Sequence, residues 1–417
     1  LSTIAREPAL APFRVRSFRF QWPSDLAASW AFEMETLILG WYILVETGSV
    51  LLLTLFASLQ YVGTLLSPMF GVAGHRMGNK RVYCAMRGIY ALLATLLMGL
   101  ALTGLLQPLH VFVLTALMGL VRPSDLVLRH ALIGETLPVG QFVGAASISR
   151  TTQDSARVMG ALTGAGLVAA LGIGPAYVVV AAFYFTSLLL AFGVAARARP
   201  QADQAAAPRV SVWRDLRDGL SYVWNTPPLL AAIWLALLVN LTAFPLVNGL
   251  LPYVAREVYG TDQTGLGYLV AGFAGGALIG SLLLTRFGHA VQPARMMIGA
   301  CVWWYLLTLL FVQVDSLAAG VALLLLSGFA QSLSMVTMAA MLLRSSEERF
   351  RSRVMGIRML AIYTLPIGLM ASGPLIEHFG FRMTGSAYCL IGLVLTIGIG
   401  LRWREHVWQG TAPSNLR

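Results

Sequence analysis

Charge is scarce in this sequence: only 11% of its 417 residues are Asp, Glu, Lys or Arg, against 57% that are hydrophobic. So little polar surface cannot cover a water-exposed fold, so a soluble globular protein is excluded and lipid is the expected solvent. Cysteine is nearly absent. Cys84, Cys301 and Cys389 each stand alone in a hydrophobic stretch, which offers neither a disulfide framework nor metal-ligand spacing and leaves packing as their role. A zinc-type His pair, a phosphate-binding loop, a dinucleotide fingerprint and a nucleophile–base constellation are all missing. No catalytic residue, no metal site and no cofactor are therefore expected, and the chain does not read as an enzyme. The basic stretch up to Phe20 lacks the short apolar core and small-residue cleavage site of a signal peptide, so the first apolar segment is expected to direct insertion.

Apolar windows fill the chain instead. Twelve are long enough for the hydrocarbon layer, which takes about 20 helical residues. They run over residues 22–46, 49–73, 81–104, 109–135, 141–170, 174–196, 228–256, 263–286, 293–313, 317–343, 351–379 and 382–402, with Gly, Pro and charge at the joints. The formal net charge of +11 would suggest nucleic acid in a soluble protein, but here the arginines sit in short loops between apolar runs. Arg14, Arg16 and Arg19 precede the first window, and the loops after the second, sixth, eighth, tenth and twelfth are basic, whereas the opposite loops carry chiefly Arg256 and Arg382. Positive charge marks the cytoplasmic side, so both termini are expected there and nucleic acid is not an expected partner.

Three segments follow: an N-terminal six-helix half over residues 1–196, a cytoplasmic linker over 197–227 and a C-terminal six-helix half over 228–417. In the linker, Ser211 is placed to cap a helix with Trp213, Leu216, Leu220 and Trp224 on one face and Arg214, Asp215, Arg217 and Asp218 opposite. Two placements fit that helix, flat on the membrane surface or packed on the protein. The halves also repeat. A shift of about 208 to 210 residues aligns Arg76-Met-Gly78 with Arg286-Phe-Gly288 and Gly172 with Gly380, as expected of two halves that rock about a central site.

The loop after the second window, Gly71-x-x-x-His75-Arg76-x-Gly78-x-Lys80-Arg81, resembles the signature loop of the major facilitator superfamily, and the resemblance covers the whole chain. Gly40-Trp41, Glu46-Thr-Gly48-Ser49, Asp125-x-x-x-Arg129-His-Ala-Leu-Ile-Gly-Glu135, Ala156-Arg157-x-x-Gly160 and Leu216-Arg-Asp-Gly-Leu-Ser-Tyr222 are similar to the bacterial branch that holds the enterobactin exporter and macrolide-efflux proteins. The resemblance implies an all-α membrane protein of twelve transmembrane helices in two pseudo-symmetric halves, the major facilitator fold, in the bacterial inner membrane. It also implies a gate built from Gly71, His75, Arg76 and Gly78 with Arg286 and Gly288. The family's loop normally has an acidic residue where this chain has His75. An imidazole there, with an unperturbed pKa of about 6.5, would make the latch sensitive to pH, unless other contacts hold the gate.

Ionisable side chains inside a span cost roughly 2.5–3.5 kcal/mol each on insertion scales, so each asks for a role. The fourth window carries Arg122, Asp125 and Arg129 on one helical face, and the fifth carries Arg150, Asp154 and Arg157 in the same pattern. Counted from the turn at Pro138, the two ladders reach similar depth and are placed to form one network lining a substrate cavity; pairing within each helix is the structural alternative. Four arginines against two aspartates leave positive charge over, which Glu33, Glu35 and Asp25 of the first window are placed to offset as proton-coupling groups. Glu33 and Glu35 diverge by about 200° on a helix, so one of them faces the cavity while the other finds a partner between helices. In the C-terminal half, Arg358 is the main intramembrane charge, facing the cavity or reaching the interface. These features point to a secondary transporter whose partners are a small-molecule substrate, protons and the lipid bilayer, working as a monomer. Proton-coupled export of an amphipathic molecule, a siderophore or a drug, is the leading expectation, its direction implied by the resemblance to the exporter branch and not by the residues themselves. Proton-symport import of an organic anion is its rival, and a membrane-embedded enzyme or lipid-handling factor the remote one.

Overall fold

The computed structural model describes residues 10–66, 77–138, 141–195, 212–287, 292–347 and 350–407, and every regular element among them is helical. The chain packs into two compact units, Leu1–Gln204 with Gly260–Ala271, and Ala205–Tyr259 with Gly272–Arg417. Among the described residues, eight helical stretches are long and apolar enough to cross a membrane. The helices over the first and fifth windows are outside that set because they hold the clustered charges, and the described part of the second window is short.

In the first unit, α1 (Arg16–Thr47) ends where Gly48 takes a left-handed conformation, φ 61°, that a side chain would resist. Ser49 then caps α2 (Val50–Leu59) by accepting the Leu52 N–H. Next come α3 (Asn79–Leu102), α4 (Pro108–Val121), α5 (Pro123–Thr136), α6 (Phe142–Leu171) and α7 (Ile173–Phe192). Pro123, which has no N–H to give the preceding turn, marks the junction of α4 and α5 within the single spanning stretch Pro108–Thr136 of the fourth window. Met34, Ile38 and Leu39 of α1, Ala94 and Leu97 of α3, and Tyr177 and Val180 of α7 form one apolar core that holds these three helices together. Two glycines of α6 let α1 approach: a Cβ at Gly160 would lie 2.7 Å from the Glu33 Cβ, and one at Gly164 3.1 Å from the Met34 Cα.

The second unit opens with the linker helix α8 (Val212–Trp224); the proposed Ser211 cap lies outside the described residues. After α9 (Pro227–Thr242) the seventh window loses regular α-geometry. Pro245 and Pro252 withhold donors, and the chain widens into π turns closed by Leu250 N–H to Pro245 O (3.3 Å) and Tyr259 N–H to Val254 O (2.9 Å). Then follow α10 (Gln263–Phe287), whose residues up to Ala271 belong to the first unit, α11 (Pro293–Gln313), α12 (Leu317–Ser345), α13 (Arg351–Leu360) and α14 (Thr364–Arg402). Helical geometry in α14 breaks at Gly380, φ 79° and ψ 164°. Gly172, which separates α6 from α7, has φ 80° and ψ 177°. The two glycines aligned by the sequence shift therefore turn the chain in the same way, each with a backbone that only glycine adopts freely.

Gly272, Gly276 and Gly280 recur once per turn on α10 and face α12. A Cβ at Gly276 would sit 1.8 Å from the Leu325 carbonyl oxygen, whereas one at Gly275 would meet nothing within 4 Å. Gly276→Ala is therefore expected to destabilise by about 1–3 kcal/mol through forced separation of the two helices. Gly275→Ala should be neutral or slightly stabilising, since alanine favours the helix by up to about 1 kcal/mol. Thermal unfolding of the two purified variants checks the contrast, and equal midpoints would refute it.

Candidate functional site

The site is built within the first unit, and its foundation is a ring of buried charge. Asp25 of α1, Arg87 of α3, and Asp125 and Arg129 of α5 alternate in sign. Arg87 Nη2 lies 2.7 Å from Asp25 and 3.1 Å from Asp125, while Arg129 lies 2.5 Å from Asp125 and 3.3 Å from Asp25. α5 contributes two members because Asp125 and Arg129 lie one turn apart on one face of it, just past the junction at Pro123, where the Asp125 N–H bonds the Arg122 carbonyl. Tyr83 donates its phenol hydrogen to Asp25 (2.7 Å), and Arg129 also donates to Ser29 (3.0 Å). Arg87 is fully buried, yet its Nε and Nη1 have no hydrogen-bond partner among the described residues, and neither has the phenol of Tyr90.

Against this ring lies a cavity of about 210 Å³ lined by Ser29, Phe32, Glu33, Tyr90, Arg122, Gln153 and Tyr184 together with Arg87, Asp125 and Arg129. Arg122 spreads over the face of Phe32 and donates to Gln60 Oε1 (3.0 Å). The charges within electrostatic reach of Glu33 are Arg157 and Arg122, then Asp154. Glu35 goes elsewhere: it is 4% exposed and accepts hydrogen bonds from Tyr177 and Tyr184 of α7, both 2.8 Å. It borders a much smaller pocket that shares Phe32, Met118 and Arg122 with the main cavity.

Members of both charge ladders, Arg122 of the fourth window and Asp154 and Arg157 of the fifth, lie within electrostatic reach of Glu33. Arg150 pairs with Asp154 one turn along α6 at 3.1 Å, and its side chain is 56% exposed. The α5 charges instead take their partners from α1 and α3, which lie closer. Asp25 is a member of the ring, paired with Arg87 and Arg129. Arg157 is half-buried on α6. Arg358 belongs to the second unit, where it is half-buried with Nη2 3.4 Å from the Met335 carbonyl. Of the gate residues, Gly78 turns the chain into α3 with φ 89°, and Arg286 is exposed near the end of α10; Gly71, His75, Arg76 and Gly288 lie outside the described residues.

Arg87, Tyr83 and the tyrosine pair are what sequence reasoning missed. Arg87 sits inside the third window, one turn past Tyr83, and carries the same insertion cost as the arginines that drew attention. Tyr177 and Tyr184 are seven residues apart, two turns on one face of a largely apolar helix, which is a signal for a shared buried partner.

A sequence profile described as "Transmembrane secretion effector" matches residues 7–415. The chain belongs to that family, within the major facilitator superfamily. No curated protein matches it in sequence. Solved structures share this transporter fold over nearly their whole length. The POT family transporter PepTSo has a TM-score of 0.74 at 12% identity, over 94% of this chain and 99% of that one. The nucleoside transporter NupG gives 0.66 at 14% identity over 93% and 99%. The human organic anion transporter MFSD10 gives 0.63 at 15% over 93% and 99%. At such identities the likeness is one of fold, and it carries no substrate from those proteins to this secretion-effector relative.

Proposed function

We propose that this family member is a proton-linked exporter of an amphipathic organic molecule, working as a monomer by alternating access in the bacterial inner membrane. In this reading twelve spans form two halves, residues 1–196 and 228–417, joined by a cytoplasmic linker over 197–227, with both termini in the cytoplasm. The observation that carries it is Glu33, a carboxylate at the wall of a cavity that also presents Arg122 and an already neutralised ring. The family description supports export.

Charge balance sets what such a cavity can exchange. Away from the helix ends, where Arg16, Arg19, Glu46, Lys80, Arg81 and Glu135 lie, five carboxylates (Asp25, Glu33, Glu35, Asp125 and Asp154) accompany five arginines (Arg87, Arg122, Arg129, Arg150 and Arg157) on α1, α3, α6 and the α4–α5 segment. With all five carboxylates ionised this set is neutral. A proton on Glu33 and a cationic or hydrogen-bond-donating substrate beside it then compete, which is the requirement for antiport. An anion, by contrast, is accommodated best together with that proton, because the freed Arg122 then balances it. This observation supports the second reading, proton-symport import of an organic anion.

The sign of coupling separates the two. In proteoliposomes under an imposed pH gradient, a macrolide, a lipophilic cation and a catecholate siderophore are each offered while internal pH is followed. Protons moving opposite to the compound support the exporter; protons moving with an anionic compound replace it by the symporter. Proton-independent movement of every compound removes both.

A further inference from the structure

The linker helix presents more apolar surface than the protein covers. One face of α8 is docked. Gly219 allows close approach, since a Cβ there would lie 3.1 Å from the Arg353 Cβ and 3.2 Å from Ile357 Cδ1. Tyr222 stacks on Phe350 with centroids 4.2 Å apart and 8° between planes, and its hydroxyl accepts the Glu347 N–H at 3.0 Å. Val223 is 1% exposed. At 100° per residue, Leu216, Leu220 and Trp224 fall on a flank beside that docked face, and Arg217, Asp218 and Ser221 fall beyond it. Leu220 is 52% exposed and Trp224 64%.

We infer that this flank lies in the bilayer interface and that α8, with the arginines around it, binds the headgroups of anionic phospholipid. Continuity of the chain selects lipid as the occupant. Pro227 begins the membrane-spanning α9 only three residues after Trp224, so Trp224 lies within roughly 10 Å of the start of that span. An amphipathic ring at that level is the usual interfacial anchor. Charge agrees with the choice. Arg217 on α8, Arg344 near the end of α12 and Arg351 at the start of α13 are exposed on the elements that hold the linker helix. An apolar flank bordered by exposed guanidinium groups matches acyl chains below and phosphates beside them. On this inference the two placements that fit this helix in the sequence are combined, one face on the protein and the next in lipid.

The test uses the full chain in nanodiscs of phosphatidylcholine alone or enriched in phosphatidylglycerol, with amide hydrogen exchange read over residues 212–224. Exchange is expected to be roughly fivefold slower in the anionic lipid. Arg217→Gln with Arg351→Gln should remove the lipid difference, and Leu220→Ser with Trp224→Ser should quicken exchange in both lipids. Unchanged exchange in α9 verifies that each variant is folded. Equal exchange of the wild-type helix in the two lipids overturns the inference, as does a lipid difference that survives the double arginine variant. Protection that follows protein concentration rather than lipid would assign the flank to a second protein and overturn it equally.

Discussion

Arg87→Met is expected to be the most damaging single substitution in the protein. It removes one of two cations from the buried ring and leaves Asp25 and Asp125 facing Arg129 alone. An uncompensated buried charge costs about 3–5 kcal/mol, which for a unit of some two hundred residues is a fall of roughly 10 °C in thermal midpoint. The double variant Arg87→Met with Asp25→Asn should recover much of that loss. It keeps the Asp125–Arg129 pair at 2.5 Å, and Tyr83 still finds an acceptor on the amide. The logic is that breaking a buried pair leaves a charge stranded, whereas deleting both partners does not. Unfolding of the single and double variants in the same lipid decides the matter. Equal midpoints would mean that the ring is not coupled and that α1, α3 and α5 are held together by their apolar core alone.

The lipid-spanning, all-helical character was legible because it rests on a global quantity, the ratio of apolar to charged residues, which no local contact can reverse. Joints were legible where a residue acts through its own backbone, as Gly172 and Gly380 do. The seventh window shows the limit. Its apolar run is unbroken, and only the missing donors of Pro245 and Pro252 forecast the π turns. Within the site, spacing correctly separates Glu33 from Glu35 but cannot choose between their faces, because the deciding partners, Tyr177 and Tyr184, lie more than 140 residues away. The ring was hidden for the same reason. Its helices come from three windows, and a charge pattern read one helix at a time pairs Asp125 with Arg129 while passing over Arg87.

Glu33→Gln is expected to uncouple transport without abolishing it. For one proton exchanged per substrate, a pH gradient sustains an accumulation of about tenfold per pH unit, because the two binding free energies are linked through one site. An amide in that place neither takes up nor releases a proton, so accumulation should fall to unity while substrate still equilibrates across the membrane. Glu35→Gln separates coupling from structure. Its carboxylate accepts from two phenols, and an amide offers one acceptor oxygen and a donor, so one tyrosine hydroxyl hydrogen loses its acceptor at a cost of about 1–3 kcal/mol. That variant should be less stable yet keep its accumulation ratio. If instead Glu35→Gln flattens the ratio and Glu33→Gln leaves it intact, the exchangeable proton resides on the carboxylate behind the tyrosines. The open cavity would then hold the substrate alone, with Arg122, which borders both pockets, as the side chain through which they communicate.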